Sequence, residues 1–451
     1  MTSSSSFNAA ERRGSVSLAL LFALRMAGLF MLMPVLATYG DHLAGYSPLW
    51  IGIAIGSYGF TQAMMQVPMG MLSDRIGRKP VIIAGLALFA LGSVIAAMSN
   101  SLYGVALGRA LQGLGAIASA VMALAADLSR EEQRAKVMAV IGVSIGLSFA
   151  VSLVLGPVLS AYVGLSGIFW LTALLAILGM GVVKWGVPDV TTHAPKSEVT
   201  ASRGKMRELL KEPQLLRLDW GVFCLHLAVS ALFISFPLRL LEADVAAASH
   251  WKVYLPTVLI SFVLMIPLLI MAAKRRQQRG FFLFSIGLML LSQLGLLFSP
   301  SLWGLALVLV LFFVGFNYME ASMPALLSML SPPGYKGSAL GIYSTTQFAG
   351  AFVGGGLGGW VSQYWGADSV PLLCIGLFVI WGLVAWGMKS PSGVKSYTLS
   401  LDNAQPEAEV LANLRKLPGV LEAIIISQER TAYLKVNSQV FDLQQAQALV
   451  K

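Results

Sequence analysis

Charge is what this chain has least of. Only 12% of its residues are charged, about half of the quarter usual in a soluble domain. So few charges cannot clothe a water-facing surface over 451 residues. Cysteine is almost absent. Cys224 and Cys374 both fall inside apolar runs, so no disulfide framework or metal-ligand spacing follows. Histidine is scarce as well, with 4 in the chain. No nucleophile–base constellation or metal set appears, so an enzyme has the least support. The formal charge of +10 raises the question of nucleic acid. The basic residues lie between apolar runs and form no single patch, so no such partner is expected.

What the chain does have is apolar length. Hydrophobic residues make up 57% of it. They gather in spans at 15–39, 48–72, 80–99, 101–126, 137–161 and 165–187, then at 217–240, 252–273, 281–299, 301–330, 338–363 and 367–388. Each is near the ~20 residues that cross a bilayer. In lipid such spans must be helices, because every backbone polar group needs an internal partner. Residues 1–14 are polar, and the run that follows is too long for a signal-peptide core and has no small-residue cleavage site, so it reads as an uncleaved first span.

The basic residues set the expected orientation. Arg12 and Arg13 precede the first span. Arg75, Arg78 and Lys79 follow the second, and Arg130, Arg134 and Lys136 follow the fourth. Lys274, Arg275, Arg276 and Arg279 follow the eighth, and Lys336 follows the tenth. The opposite loops offer only Arg239 and Lys252. Both termini are therefore expected in the cytoplasm of a multi-pass inner-membrane protein. Two six-span halves, 1–188 and 217–390, flank a linker at 189–216. In the linker Met206, Leu209 and Leu210 oppose Arg203, Lys205, Arg207 and Lys211. That pattern suits an interfacial helix on the inner leaflet, the other reading being a plain solvated linker. The halves echo each other: 136–164 resembles 336–364, with Gly156 opposite Gly356. Residues 394–451 change character and read as a small α+β, ferredoxin-like domain of order βαββα. Its three-stranded sheet leaves open edges through which two copies can pair weakly.

Four groups of residues carry the mechanism. The first is the turn after the second span, Gly70-Met71-Leu72-Ser73-Asp74-Arg75-Ile76-Gly77-Arg78-Lys79-Pro80. Gly70 admits a close helix neighbour and Gly77 a tight turn. Asp74, Arg78 and Asp127 are placed to form a charge cluster that latches one conformation. The second group is Arg109, Gln112, Gly113 and Gly115 in the fourth span. An arginine there faces a wet cavity or is held structurally by carbonyls and Gln112. The third is Gly156-Pro157 in the fifth span, with small residues Ser152, Ser160 and Ala161 around it. The fourth is Glu320 with Asn317 a turn before it, the one acid placed clearly within a span. Desolvation suits a buried carboxyl to proton exchange near neutral pH. A structural acid bonded to a neighbouring helix is the other reading. His226 is a further protonatable group, or simply a hydrogen-bonded one. Gln62, Gln66, Gln112, His226, Asn317 and Gln347 are candidates to line a central cavity.

The turn resembles the signature of the major facilitator superfamily at every characteristic position. The Arg109 group resembles that family's second motif, in which the arginine is linked to proton coupling. Gly156-Pro157 resembles in part the motif of its drug–proton antiporters. Gly28 and Pro34 resemble the antiporters' first-helix pattern, but Arg25 is the only charge there, which leaves open where the proton binds. The whole chain resembles antiporter-type members that carry a C-terminal YAM domain. The resemblance implies an all-α twelve-helix membrane fold and proton-driven efflux of a small amphipathic solute by alternating access. The proton gradient then serves as energy source and no cofactor is needed. The tail resembles heavy-metal-associated domains but holds no Cys or His, so it is not expected to bind metal through such ligands. A uniporter or importer of the same fold is a second reading. A membrane sensor with the tail as output module is a third.

Overall fold

The computed structural model describes residues 7–189, 209–275, 277–298, 301–332, 336–388, 394–401, 406–426, 431–437 and 440–450. The first span is α1, Ala9–Phe30, followed by α2, Leu32–Tyr39. Pro34 has no amide to offer the Phe30 carbonyl, and the helix breaks there. It begins earlier than the apolar run because Asn8 and Glu11 form a reciprocal capping box. The second span, α3, is Pro48–Ile76, and the third, α4, is Arg78–Ala97. The helix of the second span therefore runs through Ser73 to Ile76, and the expected turn shrinks to Gly77 at φ 101°. The fourth span is interrupted, as α5, Leu102–Leu114, and α6, Ala118–Asp127. The fifth and sixth spans form α7, Glu131–Gly181, closed by a π-helical turn at Val182–Gly186. The expected loop between them is a single residue, Gly164, at φ 65°.

The second half begins with α8, Pro213–Glu242, whose first turn lies inside the expected linker. Then come α9, Trp251–Arg275; α10, Gln278–Leu296; α11, Leu302–Leu330; α12, Lys336–Trp365; and α13, Val370–Trp386. Most of the linker stripe, Arg203 to Arg207, lies outside the described residues. Leu209, at its end, is buried in the core of the second half. Ser47, Ser101 and Ser301 cap α3, α5 and α11 on the side away from the termini. Among the described residues, nine segments are long and apolar enough to cross a membrane. One of these crosses twice around Gly164, and the glycine-rich α3 and α12 complete twelve crossings.

The tail forms β1, Val394–Ser400; α14, Glu407–Lys416; β2, Val420–Ile426; β3, Thr431–Asn437; and α15, Leu443–Val450. The sheet is antiparallel in the order β1-β3-β2. Alternation along β3 buries Ala432, Leu434 and Val436 against Val410 and Leu414 of α14 and Ala446 of α15. This is the βαββα order read from the sequence. The domain sits against the end of α11, where the Lys435 ammonium donates to the Leu330 carbonyl at 2.9 Å. A cation there caps a helix C-terminus.

The halves meet through backbone. A Cβ added at Gly52 of α3 would overlap the Gly355 carbonyl of α12, and one at Gly56 would lie 2.7 Å from the Phe352 carbonyl. Farther out, the Gln363 side chain accepts from the Leu49 amide at 3.3 Å. In the middle, Phe30 and Phe149 of the first half pack on Phe313 and Phe316 of the second. The ring centroids are 5.0 Å apart for Phe30–Phe149 and 5.8 and 6.3 Å for Phe149 with the other two. These contacts run from mid-span to the side away from the termini. On the terminal side, α6 packs on α1, α3, α4 and α7, all of its own half. The molecule is thus closed on the far side and open towards its termini.

A residue larger than glycine at position 52 cannot fit this closure. Gly52→Val is expected to shift the population towards the state open on the far side. A reporter Ala351→Cys should then label several-fold faster with an impermeant maleimide added from that side, against a native background of two buried cysteines. Unchanged labelling in a well-folded variant would show that the glycine contact does not gate.

Candidate functional site

Below the aromatic cluster, on the open side, three polar residues from three helices converge. Glu320 lies one turn beyond Phe316 on α11, so it faces the same cavity as that ring. Its carboxylate is 3.4 Å from His226 Nε2 of α8. Gln347 of α12 approaches both, with its amide nitrogen 2.8 Å from His226 Nε2 and 3.4 Å from the Glu320 carboxylate. His226 Nδ1 lies 3.1 Å from the Val222 carbonyl one turn back. A carbonyl can only accept, so Nδ1 carries a hydrogen. Nε2 of the neutral ring is then an acceptor, and Gln347 donates to it. Glu320 was expected to be buried. Its side chain is instead 35% exposed.

The other cavity candidates behave differently. Asn317 is buried and donates to Ser261 Oγ of α9 at 2.9 Å. Gln62, Gln66 and Gln112 are buried inside the first half and not on the cavity surface. They belong to a network built on two arginines. Arg25 donates to Tyr58 Oη at 3.1 Å, to Gln62 Oε1 at 3.0 Å and to the Gly115 carbonyl at 3.0 Å. The Gly115 carbonyl is free because the fourth span is broken there. Gln62 passes the chain to Gln66 at 3.0 Å. Arg109 donates to the carbonyls of Ala54 and Ile55, both at 3.3 Å, and to Gln112 Oε1 at 2.9 Å. Its guanidinium lies 4.9 Å from the Tyr58 ring centroid. Carbonyls and an amide satisfy it, as the structural reading of this arginine required. Arg25 is the member that the sequence marked only as the lone charge of its span, with no role assigned. A lone charge in an apolar span was its only signal.

The signature turn holds a charge cluster. Arg78 donates to Asp74, to Ser73 Oγ at 2.7 Å and to Asp127 at 3.2 Å. Arg75 is exposed. A Cβ on Gly70 would touch Ser119 Oγ at 3.0 Å, so α3 and α6 approach closely. All these residues belong to the first half. Nearby, Lys79 donates to the Val187 carbonyl at 2.7 Å and to Asp189 at 2.5 Å. The hydrogen bond from Lys79 holds the Asp189 carboxyl below its ordinary range. Glu11 is almost wholly buried and receives Arg130 Nε at 2.8 Å, Nη2 at 2.9 Å and its amide at 3.0 Å. Together these bonds tie α1, the α3–α4 turn, the α6–α7 junction and the end of α7 into one block. Gly156 serves the same block, since a Cβ there would lie 2.6 Å from the Met31 carbonyl at the α1–α2 break. Pro157 follows it inside α7. Its counterpart Gly356 has open space instead, so the sequence echo does not extend to packing.

The profile of the Major Facilitator Superfamily matches residues 18–319 and 221–427. Inner membrane transport protein YajR of Escherichia coli K12 is 46% identical over 441 residues, covering 97% of each chain. Multidrug resistance protein MdtH of Sodalis glossinidius is 25% identical, over 82% of this chain and 91% of that one. Among solved structures, a bacterial homolog of the human lysosomal transporter Spinster, inward-facing and unoccupied, superposes with a TM-score of 0.67 at 13% identity. The match covers 84% of this chain and 97% of that one. It shows the shared fold. A twelve-crossing bundle of two halves, its signature turn and its similarity over nearly the full length to an inner-membrane transporter agree: the chain belongs to the major facilitator superfamily of secondary transporters, not to any enzyme family.

Proposed function

We propose that this transporter is a proton-coupled exporter of small amphipathic solutes, working by alternating access in the inner membrane with both termini in the cytoplasm. In that orientation the structure is the state open to the cytoplasm. The observation that carries the reading is the Glu320–His226–Gln347 cluster, exposed in the cavity directly below the aromatic closure. A carboxylate there holds either a proton or the polar end of a solute, and the two compete. Such competition is what obligatory exchange requires. The surrounding Phe30, Phe149 and Phe316 give the site an apolar wall for the rest of the solute. Gly156-Pro157 and the similarity to a multidrug resistance protein support export over import. His226, neutral in this arrangement, is a second protonatable group beside Glu320, and Arg109 tunes coupling through the Tyr58 network without carrying the proton.

In this reading the Asp74–Arg78–Asp127 cluster holds the first half as a rigid rocker. Asp74→Asn and Arg78→Ala are expected to change the balance between open states while expression stays normal. Cysteine accessibility on the two sides is the readout, and equal labelling of variant and parent would show that this cluster does not set the balance. A thermal-shift screen supplies a transported ligand for the next test. With it, Glu320→Gln in inverted vesicles is expected to abolish pH-driven uptake while ligand counterflow persists, because a permanently neutral side chain mimics one protonation state. Uptake that still follows the pH gradient would exclude Glu320 as the proton site. Removing residues 394–451 is expected to leave insertion and binding intact and to alter the rate, since among the described residues the tail meets the membrane part at the terminal end of the second half. Loss of binding in a folded truncation would place the tail inside the site.

A further inference from the structure

The terminal rims of the two halves carry the same cations at matching positions, but only one rim spends them on protein. In the first half, Arg13 is the fifth residue of α1 and Lys79 the second of α4. Both reach the chain around Trp185-Gly186, where the π-helical turn ends. Arg13 donates to the Gly186 carbonyl at 2.9 Å and to the Trp185 carbonyl at 2.6 Å. Lys79 donates to the Val187 carbonyl at 2.7 Å and to Asp189 at 2.5 Å. In the second half, Arg217 is the fifth residue of α8 and Arg279 the second of α10, and Trp386-Gly387 closes α13. A Cβ at Gly387 would lie 2.6 Å from Arg217 Nη2. The Arg279 guanidinium lies 5.4 Å from the Trp386 ring centroid. Two guanidiniums from two helices thus meet consecutive residues of a third. Among the described residues neither makes a hydrogen bond or an ion pair. Glu212 and Asp219, the acids nearest Arg217 in sequence, do not pair with it. Where the first half has Asp189 after its Trp-Gly step, the sequence of the second half has Ser390, preceded by Lys389.

This corner faces lipid and not the cavity. Leu372, Val379, Ile380 and Leu383 of α13 are exposed at helical spacing, and the stripe ends at Trp386, 68% exposed. An apolar stripe left bare on a spanning helix meets acyl chains. A tryptophan at its end stands at headgroup depth. Arg217 and Arg279 therefore lie at the level of the lipid phosphates. The planar fork of a guanidinium matches phosphate oxygens two at a time, and basic pockets between helices at this depth suit anionic headgroups.

We propose that Arg217, Arg279 and Trp386 form a binding site for the phosphate of an anionic phospholipid, in the leaflet on the terminal side. The two guanidiniums donate to the phosphate oxygens, and the acyl chains follow Leu383 and Ile380 along α13. The bound phosphate joins α8, α10 and α13, as Asp189 and the carbonyls around it join α1, α4 and the end of α7. Protein closes the rim of the first half, and lipid closes the rim of the second. The site is separate from the Glu320 cavity and does not rest on proton coupling.

The test is native mass spectrometry of the full-length protein in detergent, titrated with phosphatidylglycerol and, separately, with phosphatidylethanolamine, whose ammonium neutralises its own phosphate. The parent should bind one phosphatidylglycerol several-fold more tightly than further copies and than phosphatidylethanolamine. Arg217→Gln and Arg279→Gln should each weaken that first binding by about fivefold, and together by about thirtyfold. Lys184→Gln removes an exposed cation that lies over Trp185 at the matching rim of the first half, and it should leave the affinity unchanged. Inorganic phosphate should not displace the lipid, because it has no chains to lie along α13. Parent affinity in the double variant, equal binding of phosphatidylethanolamine, or an equal loss in Lys184→Gln would overturn the inference. Displacement by inorganic phosphate would overturn it too, since the occupant would then be the free ion. If the double variant does not fold, the two single variants carry the same test.

Discussion

The structure depends on a contact with no side chains in it. At Gly52 and Gly56 the backbone of α3 lies directly on that of α12, and any Cβ would collide with a carbonyl. Such contacts pack well but contribute little hydrophobic driving force in lipid, where association rests on close van der Waals approach. They therefore suit an interface that must part. The aromatic cluster of Phe30, Phe149, Phe313 and Phe316 seals the middle behind them. Because the halves lean together on the far side, the terminal side is held apart and Glu320 faces an open cavity. Closure, cavity and the access of the candidate site follow from where glycine stands in two helices.

A part that rocks must first be stiff. The first half gains stiffness from charges that face inward or lie at its terminal rim. Arg25 and Arg109 tie α1, α3 and α5 together through carbonyls, Tyr58 and two glutamines. At the rim, Glu11 and Arg130 join two segments 119 residues apart. The signature turn adds Arg78 between Asp74 and Asp127. All of these bonds stay within one half, so on the proposed alternating access none has to break.

Much of the architecture was legible in the sequence because the bilayer enforces it. Apolar length marks a span, and backbone saturation makes it a helix. The βαββα tail was equally legible from its strand alternation and the Pro418-Gly419 break. The misreadings have physical causes. Gly164 replaces a loop because one residue at positive φ reverses the chain, which composition alone does not reveal. The α3 helix outruns its apolar run because Ser73 to Ile76 keep helical geometry beside their own half. In the site, residue type identified Glu320, His226 and Gln347, but not the side each glutamine faces. Gln62, Gln66 and Gln112 differ from Gln347 only in rotation about their helices, and glycine-rich spans give too weak an apolar stripe to set that rotation.

The two halves divide the electrostatic labour. Arginines occupy the interior of the first half, where carbonyls and amides hold them, and an arginine keeps its proton under all physiological conditions. Its charge is constant through the cycle. Glu320, the carboxylate of the candidate site, belongs to the second half. On the proposed coupling, only the second half changes charge when a proton enters or leaves. That asymmetry bears on how a proton can drive a rigid-body motion. A charge exposed in a wet cavity is stabilised by water, and closing the cavity on it imposes the desolvation cost. With Glu320 ionised and no solute present, closing the terminal side is opposed. Protonation, or a solute that neutralises the carboxylate, removes the opposition. On the proposed coupling, the same residue forbids the empty, ionised carrier from turning over and so ties proton flow to solute flow.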